Sequence, residues 1–234
     1  MRGDIGGGRL KVLIQTYDSA FQNTAGGVRN RIVRTVDEVR NMGCEVDYFN
    51  KFNTRVDMYD ILHVFMLNVE NLGLIKYAKC RGIKVVLSAI VGLDKAKNID
   101  FYWKIRKIPI MTTYKLLFQM CELSDVIIAE TKKEADFIIK HYHVKKEKIL
   151  IIPSGADTPE TDSNIIFDII GKRCPYVLEV ARFDKNKNQI NVIKGLKGTG
   201  IEVVFAGGPD FADNGYYEEC QRLAKGSSNI HFLG

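Results

Sequence analysis

The chain has 234 residues, 46% hydrophobic and 26% charged, a globular mixture with enough apolar material for one large core or two small ones. A formal charge of +6 is compatible with phosphate-bearing substrates, anionic lipid or nucleic acid and does not choose among them. No run reaches the roughly 18 apolar residues of a membrane-spanning helix, and Met1-Arg2-Gly3-Asp4 leads into glycines instead of an apolar leader, which predicts a cytoplasmic protein.

Strand-like and helix-like runs alternate from the start. Gly6-Gly7-Gly8 precedes the first strand and reads as a tail, since a phosphate-cradling loop follows a strand. Residues 11–16 form a strand, 27–42 a helix with Val28, Ile32, Val36 and Val39 along one face, and 45–49 a second strand. Strands at 61–65, 83–88, 126–129 and 149–152 alternate with helices at 72–79, 99–121 and 132–141. Short apolar strands between helices predict a parallel sheet covered on both faces.

A polar stretch, Asp157-Thr158-Pro159-Glu160-Thr161-Asp162-Ser163-Asn164, interrupts the alternation. A new series begins at 176–180 and continues with strands at 203–206 and 230–233. The expected division is a complete Rossmann-like domain over 1–157 and the first half of another over 158–234, since doubly wound domains commonly have about six strands.

The five cysteines are widely spaced without a C-x-x-C pair, and buried free thiols are expected. His141-Tyr142-His143 has no third ligand nearby in sequence and reads as a solvent-facing pair, while His63 reads as a hydrogen-bonded core residue.

The segment Val180-Ala181-Arg182-Phe183-Asp184-Lys185-Asn186-Lys187 resembles the start of the C-terminal domain in retaining glycosyltransferases of the GT-B fold, which carry an arginine at the end of that domain's first strand and a lysine five residues later. Four further pieces match in order: Ala25-Gly26-Gly27-Val28, Ile152-Pro153-Ser154-Gly155-Ala156-Asp157, Ala206-Gly207-Gly208-Pro209 and Ile230-His231-Phe232-Leu233-Gly234. The resemblance implies an α/β protein of two Rossmann-like domains. It also implies an enzyme that moves a sugar from a nucleotide-diphosphate donor to a glycan or lipid-linked acceptor with retention.

By the same resemblance, Arg182 and Lys187 stabilise the departing diphosphate, where fixed cations lower the barrier. Gly26 and Gly27 would meet the donor through backbone N–H groups at a helix N-terminus, and Gly207 and Gly208 complete the donor-binding set. No D-x-D pair follows a strand, so no metal and no other cofactor is expected. Where many relatives place a histidine after the third and fourth strands, this chain has His63-Val64-Phe65 and Ser88-Ala89-Ile90, a pattern like that of bacterial surface-polysaccharide transferases. The family's E-x7-E element, which holds donor sugar and ribose, would fall beyond Gly234, so the 234 residues by themselves are expected to be weakly active or inactive. A non-catalytic GT-B interaction module and a sugar-nucleotide epimerase are the alternatives.

Between Lys95 and Met120, six basic residues stand against Asp100 and are interleaved with Phe101, Tyr102, Trp103 and Tyr114. This segment either lies on an anionic membrane or is an amphipathic helix packed on its own sheet and broken near Pro109. Nucleic acid is not expected, because no recognition motif accompanies the charge.

Overall fold

The computed structural model describes residues 9–22, 27–155, 164–209 and 214–234, in two compact units divided between Ala156 and Asp157. Gly6-Gly7-Gly8, Ala25, Gly26 and the polar stretch up to Ser163 lie outside the described residues.

The first unit runs β1 (Lys11–Gln15), α1 (Gly27–Asn41), β2 (Glu45–Tyr48), β3 (Ile61–Phe65), α2 (Leu72–Cys80), β4 (Lys84–Ser88), α3 (Ala96–Lys104), α4 (Thr113–Leu123), β5 (Val126–Ala129), α5 (Lys132–His141) and β6 (Ile149–Ile151). Its six strands are all parallel, in the order β2-β1-β3-β4-β5-β6. Period-two alternation sends side chains to opposite faces. Val12, Ile14 and Phe65 pack with Ile32 and Val36 of α1, whereas Leu13, Leu62, Val64, Val85 and Leu87 join the core formed with α2, α4 and α5. The chain leaves β1 toward β2 on one side and then returns to β3 on the other. That reversal opens a crevice over the carboxyl ends of β1 and β3, the usual ligand position in open α/β sheets.

The second unit contains α6 (Ile165–Ile170), β7 (Tyr176–Val180), α7 (Gln189–Leu196), β8 (Glu202–Ala206), α8 (Asn214–Ala224) and β9 (Ile230–Leu233), with a parallel sheet ordered β7-β8-β9. Phe183, Phe205, Ile193, Tyr216 and Cys220 form its core.

The helical region over 99–121 is two helices separated by residues 105–112, with the break near Pro109 that the sequence indicates: Pro109 disfavours helical backbone in the residue before it, and Thr112 starts a new helix by accepting from Lys115 N at 3.2 Å. Two expectations are corrected. Only Cys121 and Cys220 are buried, while Cys80 is exposed and Cys44 and Cys174 are partly covered. His141 is buried and hydrogen-bonds through Nδ1 to Asp100 Oδ1 at 2.7 Å, and His143, though largely exposed, stacks on Trp103 at 4.0 Å, so the two do not form a solvent-facing pair. Among the described residues no helix is long and apolar enough to cross a membrane.

Candidate functional site

At the carboxyl edge of the first sheet, a cavity of about 590 Å³ is lined by Gly27, Arg31, Arg34, His63, Ser88 and Ser154, among others. Gly27 is the first residue of α1, and a Cβ there would meet nothing within 4 Å. His63 points from β3 to the α1 side. Its Nε2 lies 3.0 Å from Ser88 Oγ on the neighbouring strand, and its ring stacks on Phe65 at 4.2 Å. Burial, with a smaller contribution from the Arg31 guanidinium, lowers its pKa to about 3, so the imidazole is neutral at physiological pH. A neutral imidazole beside a hydroxyl can donate to and accept from a ligand hydroxyl but carries no charge to it.

Four residues not singled out in the sequence complete this edge. Arg31 of α1 pairs with Glu130, which follows β5, and Glu130 Oε1 also accepts from Ser154 Oγ at 3.1 Å. Glu134 in the first turn of α5 is buried and accepts from Glu130 N at 2.6 Å and from Val91 N at 3.0 Å, tying together the segments after β4 and β5. Thr131 accepts from Glu134 N at 3.1 Å, and this Thr-x-x-Glu spacing was the readable signal. Met66 (φ +74°) and Ile90 (φ +48°) directly follow this edge, and a β-branched residue there is a strained backbone of the kind that clusters at ligand sites.

In the second unit, Arg182, Lys187, Gly207 and Gly208 come together at the carboxyl edge of β7 and β8. Ala181 N donates to Ala206 O at 3.0 Å and Phe183 N to Gly208 O at 2.9 Å, so the two segments run side by side. Gly207 adopts φ +145°, and a Cβ would stand 2.2 Å from Ala181 O; only glycine fits. Gly208 has open space around it. The turn carrying Lys187 is set by Asp184, which accepts from Asn186 N at 2.6 Å through Oδ1 and from Lys187 N at 2.9 Å through its carbonyl. Arg182 is half-exposed with Nη2 3.4 Å from Asp184 Oδ2, and Lys187 is exposed. Burial raises the Glu179 pKa, and the Lys187 charge partly offsets that rise. Buried Gln189 donates to Arg182 O at 3.1 Å and anchors the backbone of the arginine to α7.

No protein-family model and no curated protein matches the chain. Solved structures do. Anabaena HepE, in complex with UDP and glucose, has a TM-score of 0.67 at 14% sequence identity, over 97% of this chain and 69% of that one. A glycosyltransferase from Rickettsia africae gives 0.66 at 11% identity, over 97% and 68%. The lipopolysaccharide outer core galactosyltransferase WaaB, in its apo form, gives 0.56 at 12% identity, over the same shares. The chain has the α/β fold of these proteins, with Rossmann-like units of the GT-B kind.

Proposed function

We propose that the chain belongs to a glycosyltransferase that uses a nucleoside-diphosphate sugar, with Arg182 and Lys187 holding the departing diphosphate. The observation that carries this reading is the paired edge of β7 and β8. One obligatory glycine lets two segments run close together, and a half-exposed arginine and an exposed lysine stand on the segment that carries the turn beside them. Gly207 lets the two segments close on one another, Gly208 leaves space beside its backbone for a phosphate oxygen, and negative charge accumulating on the leaving phosphate meets preorganised positive charge. Of the expected Gly26 and Gly27, Gly26 lies outside the described residues, and Gly27 opens α1, whose N-terminus can meet an anionic group of a substrate.

With retention, the departing phosphate oxygen takes the acceptor proton on the face from which it leaves. His63 and Ser88 supply hydrogen bonds to hydroxyls of a glycan or lipid-linked acceptor. The two cations take the role that a metal would otherwise have, so transfer persists in a chelator. HepE, whose fold this chain shares, was solved with UDP and glucose, which supports a nucleotide-sugar donor.

Titration calorimetry with UDP tests the clamp. Lys187→Ala removes a charge-assisted contact to phosphate and weakens binding about 10- to 100-fold. Equal binding by the variant, or none by the parent chain, ends the assignment. A donor screen with the anomeric product read by NMR separates retaining transfer from epimerisation, and a chain that binds donor but turns over none is an interaction module.

A further inference from the structure

A second cavity, of about 430 Å³, lies along α4 and shares no lining residue with the carboxyl-edge cavity. Arg106, Lys115, Lys145 and Lys148 line it against a single carboxylate, Glu122. Three of these cations are held by carbonyls, which fix position without cancelling charge. Arg106 donates to Trp103 O at 2.7 Å with its guanidinium 3.8 Å from the indole centroid, Lys148 donates to Glu122 O at 2.7 Å and Ser124 O at 2.9 Å, and Lys115 reaches Ile108 O at 3.4 Å. Among the described residues none of the four is paired with a carboxylate. Positive charge gathered around a concave wall favours an anion within it.

Exposed apolar side chains stand in the segment that leads into this cavity. Residues 105–112, which supply Arg106, also carry Ile108, Ile110 and Met111 at 45, 60 and 70% exposure, and Phe101 on α3 is 57% exposed. Lys104 and Lys107 are exposed in the same stretch. Tyr102, Trp103 and Tyr114 instead turn inward onto the core, with Tyr102 and Tyr114 stacked at 4.6 Å. Apart from Phe101, the aromatics of the 95–120 segment named above are therefore spent on packing, and its aliphatic tip is left outside. A soluble phosphate compound would fill the basic cavity and leave those aliphatic side chains in water. A lipid surface covers both, because its headgroup layer is anionic and the boundary beneath it apolar.

We propose that the cavity along α4 receives the phosphate-bearing headgroup of an anionic membrane lipid, while Ile108, Ile110 and Met111 enter the headgroup layer beside it. Vesicle binding needs no sugar donor, so this assignment and the diphosphate clamp fail separately.

Flotation of the 234-residue chain with vesicles of phosphatidylcholine, with and without phosphatidylglycerol, tests it, alongside the emission of Trp103, the sole tryptophan, which lines the cavity. The chain floats with the anionic vesicles only, and the Trp103 emission shifts as it does so. Lys145→Gln, at an exposed residue, weakens partition about fivefold, and the pair Ile110→Ser and Met111→Ser abolishes the emission shift, with circular dichroism unchanged in both. Equal binding to neutral vesicles, no binding to anionic ones, or anionic binding that both variants leave intact overturns the proposal. So does a Trp103 response to glycerol 3-phosphate without vesicle binding, which makes the cavity a site for a soluble phosphate.

Discussion

Gly207 and Gly208 stand side by side in sequence and differ in what the backbone asks of them. A Cβ at 207 would strike Ala181 O at 2.2 Å from a backbone that L-residues rarely adopt, whereas one at 208 meets nothing. Gly207→Ala is expected to cost about 3 kcal/mol or more and to remove UDP binding, and Gly208→Ala under about 0.5 kcal/mol; urea unfolding with calorimetry distinguishes them. His63 adds a pH signature. Its folded pKa of about 3 lies below the usual histidine value of 6.5, so between those values the native state binds fewer protons than the unfolded chain. The stability that this neutral histidine contributes is complete above about pH 6.5 and is lost as the pH falls toward 3, with a slope of at most about 1.4 kcal/mol per pH unit. His63→Gln retains a partner for Ser88 and does not titrate, so urea midpoints measured across that window flatten relative to the parent. His63 was legible as a hydrogen-bonded core residue because it sits within an apolar strand. The Arg31–Glu130 pair was not, because 99 residues separate its members and only the sheet order brings α1 beside the end of β5.

At the scale of elements, strand positions were legible because a parallel sheet writes short apolar runs between helices. Capping signals were harder to weigh than breaking ones. Pro109 was legible as a break, whereas Thr112 was not read as the cap that restarts the helix, and the segment between α3 and α4 carries exposed apolar side chains. The buried Glu134 shows the same difficulty: a carboxylate in a first helical turn is ordinarily a solvent-facing cap, and here it serves two backbone donors from different loops. Glu134→Ala strands the N–H groups of Val91 and Glu130 and is expected to destabilise the chain by about 2–4 kcal/mol. Glu134→Gln keeps one acceptor oxygen and loses roughly half as much. Urea unfolding gives the size of the loss, and amide exchange at Val91 gives its place: protection there falls selectively in both variants, whereas an unchanged exchange rate means that the loop after β4 is held by something else.

The 234 residues form two units with cores of unequal extent. The first unit surrounds six strands with helices on both faces, and Leu13, Leu62, Val64, Val85 and Leu87 at its centre are completely buried. The second unit has three strands, and the edge strand β7 leaves Val177, Leu178 and Val180 at 38, 43 and 75% exposure. Apolar burial is the main favourable term in folding, at about 25 cal/mol per Å², so the smaller core gives the less stable unit. Scanning calorimetry is therefore expected to show two transitions, with the amides of β7 to β9 exchanging faster than those of β1 to β5 below the first. Arg182, Lys187, Gly207 and Gly208 all belong to the less stable unit, which ties this difference to the proposed clamp. A ligand stabilises only the state that binds it, by about 2.7 kcal/mol at a hundred times its Kd. UDP at that excess raises the lower transition and leaves the upper one in place, and Lys187→Ala, binding about 10- to 100-fold more weakly, cuts the stabilisation to about 0.4–1.4 kcal/mol at the same UDP concentration. A rise confined to the upper transition would put the nucleotide in the first unit, at the cavity of Arg31, His63 and Ser88, and would reverse the assignment of donor and acceptor sides.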